Sequence, residues 1–172
     1  MKTLKLLAAS ALIGTVCATA VMADDTQPSK TTANFLKNAA IGGKFEVDSS
    51  NIVLQKSNNN DVKTFAQKMV DDHTKANDEL KSTIAAENLP ASALPDQLDA
   101  KHQALLDKLN ADSSGNFDKD YIKAQTDAHK DAVALFAKYA KNGDEPAIKT
   151  FAANTLPTLE HHKAMVADLK AK

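Results

Sequence analysis

The chain has 172 residues, a formal net charge of −1 and 25% charged residues, the size and balance of a single domain. All 21 basic residues are lysine, so the guanidinium fork that usually reads phosphates and bases is missing and no nucleic-acid partner is expected. The single cysteine, Cys17, lies near the N-terminus, which leaves the rest of the chain without a disulfide, a thiolate ligand or a cysteine nucleophile.

Lys2 and Lys5 form a short basic region, Leu6 to Val21 is apolar and uncharged, and Val21-Met22-Ala23 fits a small-x-small cleavage pattern. Residues 1–23 therefore read as a secretory signal peptide cleaved after Ala23, which would place the protein in the periplasm or at the cell envelope. The apolar run is too short and too rich in Ala, Ser and Thr for a membrane span, so no stable membrane insertion is expected. Its removal takes away two lysines and no acid, which lowers the net charge to −3. Residues 24–30 are polar, include Pro28 and read as a disordered lead-in.

Residues 31–172 carry helical periodicity. Phe35, Ala39, Gly42, Glu46, Ser49 and Val53 recur at alternating steps of four and three, which is one stripe of a helix. Asn58-Asn59-Asn60 ends it, and Asn60 or Asp61 is expected to cap the second helix. The second stripe is Val62, Ala66, Met69, His73, Ala76 and Leu80, ending near Asn88, before Pro90 and Pro95. Asp96 to Asn110 predicts a shorter helix with Leu98, Leu105, Leu106 and Leu109 on its apolar side. The third long helix shows Ile122, Gln125, His129, Ala132, Phe136 and Tyr139. The fourth begins at Pro146 and shows Ile148, Ala152, Thr155, Leu159, His162, Val166 and Leu169. Pro157 falls inside it and is expected to kink or split it. Nothing reads as a strand. The expected fold is all-α: two helical hairpins joined by one long crossover that holds the short helix, the ferritin-like form of a four-helix bundle.

Each long helix carries one metal-capable residue in its apolar stripe: Glu46, His73, His129 and His162. With both hairpin turns at the same end of the bundle, a rise of about 1.5 Å per residue puts the first three near one level and His162 about 7 Å away. One reading is a metal site, since neutral imidazole and carboxylate suit zinc, copper or iron. Asp72, Asp127, Asp131 and Glu160 adjoin the histidines and are candidates to orient them. The other reading is a buried hydrogen-bond network with no ligand, in which Glu46 pairs with His73. Di-iron bundles use Glu-x-x-His pairs, whereas Val70, Thr126 and Leu159 stand three residues before the histidines here; this argues against a di-iron centre. No catalytic triad or phosphate loop is present, and no catalytic residue is assigned. Gly42-Gly43 in mid-helix reads as close helix packing or as space beside the site. His161 and His102 are expected at the surface.

Phe35 to Val47, Val62 to Leu80, Phe117-Asp118…Tyr121…His129 and Leu156-Pro157-x-Leu159-x-x-His162 together resemble the domain-of-unknown-function 4142 family. The resemblance implies a ferritin-like bundle of an exported bacterial protein and places Glu46, His73, His129 and His162 at the family's motif positions. It implies no activity. The expected function is an envelope protein that binds one metal ion or small ligand at the Glu/His cluster, in stress response or metal homeostasis. The alternative is a structural or interaction bundle, with an envelope protein or a second copy as partner.

Overall fold

The computed structural model describes residues 27–113 and 115–170. Residues 1–23, read from the sequence as a signal peptide and containing Cys17, and the first residues of the expected lead-in lie outside them. Among the described residues every regular element is helical. No helix there is long and apolar enough to cross a membrane.

Helix α1 (Lys30–Lys56) starts at Ser29, whose hydroxyl accepts from the Thr32 amide at 3.1 Å. Helix α2 (Asn60–Ala86) starts at Asn59, one residue before the expected caps; its Oδ1 accepts from the Asp61 amide at 3.1 Å. It ends where Asn88 takes a φ of 54° and the Leu89 amide reaches back to the Ile84 carbonyl. Asparagine tolerates this left-handed conformation, and the buried Leu89 seals the end against the core.

A single 3₁₀ turn spans Ala91–Ala93, and the short helix α3 (Ala100–Ala111) then starts later than the leucine spacing implied. Asp99 sets that start, because its carboxylate accepts from the His102 amide at 2.9 Å. Of its three leucines only Leu109 is buried. Lys56 on α1 donates to the Leu109, Asn110 and Asp112 carbonyls and so satisfies the C-terminal end of α3.

Helices α4 (Phe117–Asn142) and α5 (Pro146–Asp168) form the second hairpin, with Pro146 in the first turn of α5. Pro157 does not split α5. The missing amide and the ring clash cost about 3 kcal/mol in a helix interior. Phe151 and Ala152 before the proline, and Leu159 and His162 after it, are all buried, so both halves are anchored to the same core.

The long helices pair α1 with α2, α4 with α5, α1 with α4, and α2 with α5, a closed ring of four. The two hairpin turns lie at opposite ends of this ring, not at one end as the depth count assumed. Thr32, at the start of α1, hydrogen-bonds Tyr139 and Asp144 at the second turn. Asn59, in the first turn, donates to the Lys170 carbonyl beyond the end of α5 at 3.0 Å. Neighbouring long helices are therefore all antiparallel.

The interior has three layers. One apolar cluster, around Phe35, Leu36, Leu80, Phe136, Ile148 and Phe151, fills the end at the second turn. Another, around Val53, Val62, Phe65, Met69, Tyr121 and Val166, fills the end at the first turn. Each fully buried side chain of this kind contributes about 1.5–3 kcal/mol. Between them lies a layer of buried polar groups: Glu46, Ser49, His73, Gln125, His129 and His162.

A candidate three-histidine metal centre

All four seam residues are buried, at 3% exposure for Glu46, 7% for His73 and 0% for both His129 and His162. The imidazole centroids stand 5.4 Å apart for His73–His162 and His129–His162, and 5.6 Å for His73–His129. One ligating atom from each lies within 4.8 Å of the other two. His162 thus reaches the level of the others. The opposite-end topology explains it, because His162 and Glu46 then stand equally far into α5 and α1 from the same end of the ring.

Hydrogen bonds select the nitrogen that His162 and His129 leave free. His162 Nε2 lies 2.8 Å from Asp72 Oδ2, a carboxylate that only accepts, so Nε2 carries the proton and Nδ1 keeps its lone pair. His129 Nδ1 donates to the Gln125 carbonyl at 3.0 Å and leaves Nε2 with the lone pair. His73 Nε2, His129 Nε2 and His162 Nδ1 are buried and have no hydrogen-bond partner among the described residues.

The electrostatics keep these rings neutral. Burial holds His129 down to about 4, against a hydrogen bond to Gln125 that pulls it up. Burial, with the neighbouring His129 and His162, holds His73 well below the usual imidazole range. Burial also lowers His162 despite its bond to Asp72. Desolvation pulls Asp72 upward, but hydrogen bonds from Lys68 and His162 win and keep it ionised. Lys68 Nζ stands 2.9 Å from the same Asp72 oxygen. Neutral imidazoles with unshared lone pairs are the ligand form of histidine.

Glu46 stands apart from this trio. Its Oε1 is 3.6 Å from His129 Nδ1, the nitrogen already turned to the Gln125 carbonyl, and not beside His73 as the network reading expected. Burial pushes its carboxyl up to about 8, while a hydrogen bond from Gln125 opposes. Gln125 also donates to Ser49 at 3.1 Å, which ties the polar layer of α1 to α4. Gln125 was legible only as a stripe residue. A polar side chain one turn before His129 on an apolar seam is the signal that could have marked it.

Of the four acids flanking the histidines, only Asp72 orients one, and it does so across helices. Asp127 pairs with Lys123 and Asp131 faces Lys101, both at the surface, and Glu160 is exposed. His161 is exposed as expected. His102 is half-buried instead, edge-on to Phe45 with ring centroids 5.3 Å apart, which docks α3 on α1.

The domain of unknown function DUF4142 matches residues 17–169. The chain belongs to this family. Among the curated proteins no sequence relative matches it. Solved structures share the fold at low identity. A DUF305 fragment from Deinococcus radiodurans has a TM-score of 0.69 at 11% identity, covering 83% of this chain and 96% of that one. A DUF305 protein from Streptomyces coelicolor has a TM-score of 0.66 at 16% identity, covering 80% and 89%. CopM in its Cu(I)-bound form has a TM-score of 0.64 at 18% identity, covering 79% and 92%.

Proposed function

We propose that this protein is a ferritin-like bundle of the periplasm that holds one zinc or copper ion on His73, His129 and His162 and serves metal homeostasis. Two observations carry the reading together: one nitrogen of each of the three buried rings lies within 4.8 Å of the other two, and each ring has a buried nitrogen with no hydrogen-bond partner among the described residues. Leaving a buried polar atom unpaired costs about 1–3 kcal/mol. A ligand-free network would be expected to join these groups to one another, and no hydrogen bond links the three rings.

The residues fit the ion. Three nitrogens, each about 2.0–2.1 Å from one zinc, stand roughly 3.4 Å apart, so small side-chain rotations bring this trio onto a single ion. Asp72 and the Gln125 carbonyl supply the outer acceptors that such histidines use. An all-imidazole set favours zinc or copper over iron, whose mononuclear oxygen-activating sites add a carboxylate to two histidines. Glu46 stands 3.6 Å from His129 Nδ1, the nitrogen turned away from the ion, and is not counted among the ligands. A fourth position without a donor in the trio lets an ion be taken up and handed on. The periplasmic assignment rests on the signal-like residues 1–23. A protein of the same fold, CopM, is seen in a Cu(I)-bound form, which supports copper here by fold alone.

The test is elemental analysis of untagged protein after exposure to zinc or copper, for wild type, His73→Ala and His129→Ala. One equivalent in wild type and none in either variant is expected. No metal above background in wild type, with a lower melting temperature in both variants, would establish the ligand-free network instead.

A further inference from the structure

A cavity of about 750 Å³ lies between α3 and the long helices. This falls within the range of small-molecule sites, roughly 300–1,000 Å³. Two of its lining residues are Glu46 and His73, both more than nine-tenths buried. Glu46 Oε2 and His73 Nε2 have no hydrogen-bond partner among the described residues. The lining of the cavity thus includes Glu46, a buried carboxyl with an unpaired oxygen, among apolar walls from Phe45, Leu80, Leu105 and Phe136.

The charges in its lining cancel. Lys108 pairs with Asp120 at 2.6 Å, Lys123 with Asp127 at 2.7 Å, and Lys101 faces Asp131 at 3.9 Å. No surplus of one sign remains to recruit an ion from solvent.

The two mid-helix glycines separate two roles. A Cβ on Gly43 would run into the Asn77 side chain, so Gly43 allows α1 and α2 to approach. A Cβ on Gly42 would meet nothing within 4 Å, and Gly42 lines the cavity. Packing therefore does not require glycine at 42, although glycine there costs about 1 kcal/mol relative to alanine. Any side chain at that position would take up cavity space.

We infer that the cavity under α3 binds a neutral, mostly apolar small molecule whose single polar head meets Glu46, and that Gly42 keeps the space open for its body. This goes beyond metal binding and does not depend on it: the inference uses the cavity walls and Glu46, while the ion uses the three imidazoles.

The probe is N-phenyl-1-naphthylamine, which is neutral, apolar and fluorescent when shielded from water. It is titrated into the purified protein, wild type and variant, with zinc content measured on the same samples. Saturable one-to-one binding to wild type is expected, weakened at least about tenfold in Gly42→Phe with zinc uptake unchanged. Gly42→Leu repeats the test with a smaller side chain if the phenylalanine variant folds poorly. Ala124→Phe blocks the cavity from α4 and is expected to act alike. No saturable binding to wild type, or equal binding by wild type and the Gly42 variants, overturns the inference. Probe binding without zinc uptake would defeat the metal reading and leave this one standing.

Discussion

Asp72 on α2 accepts its hydrogen bond from His162 on α5, at 2.8 Å, and not from its chain neighbour His73. One bond therefore links two helices, fixes the tautomer of His162 and leaves Nδ1 with its lone pair free. Lys68, one turn earlier on α2, holds the carboxylate from the other side at 2.9 Å.

Asp72→Ala tests that bond. Acceptors behind a ligating histidine are worth about 10–100-fold in metal affinity. A loss in that range by zinc titration is expected, with the helical circular dichroism spectrum intact. Unchanged affinity would show that Asp72 plays no part in holding the ring.

An ion held by the three histidines would stabilise only the folded chain. At a free zinc concentration about a thousand times the dissociation constant, the gain is about 4 kcal/mol. Zinc should therefore raise the denaturant midpoint of wild type and leave that of His129→Ala unmoved. Equal shifts in both proteins would locate the zinc elsewhere.

The metal-free protein should lose stability on both sides of a maximum near pH 6.5. His129 falls from 6.5 in the unfolded chain to about 4 in the fold, and His73 and His162 fall as well. The unfolded chain then binds more protons over that window, so stability drops as pH falls through it. Glu46 rises from 4.5 to about 8, so the fold binds the extra proton and stability drops as pH rises toward 8. Three imidazoles outweigh one carboxyl where the windows overlap. Denaturant midpoints against pH would show it, and Glu46→Gln should remove the alkaline limb only. A flat alkaline limb in wild type would contradict the burial of Glu46.

Gly42→Ala and Gly43→Ala should differ although the residues are adjacent. The first adds a methyl where nothing lies within 4 Å and gains up to about 1 kcal/mol of helix propensity. The second forces the Asn77 amide aside and forfeits that gain. Thermal melts of the two variants measure the gap, and equal melts would remove the packing role of Gly43.

The stripes at steps of four and three were enough to locate all four long helices and to pick out Glu46, His73, His129 and His162 as seam residues. Periodicity is local, and an apolar stripe buries itself whatever its neighbours are. The start of α3 was less legible, because a side-chain cap at Asp99 decides it rather than leucine spacing.

What local pattern could not supply was which polar residue meets which. The two turns lie at opposite ends, tied by Thr32 to Tyr139 and Asp144 and by Asn59 to Lys170. That arrangement, invisible to a count from the turns, brings His162 level with His73 and His129. It also turns Glu46 toward His129 and Asp72 toward His162. The sequence by itself determined the helices and their buried faces, because these follow from spacing along one chain segment. The direction in which each hairpin meets the other depends on contacts between residues more than a hundred positions apart, and only the tertiary structure decided it. Three histidines on three helices became a candidate centre there.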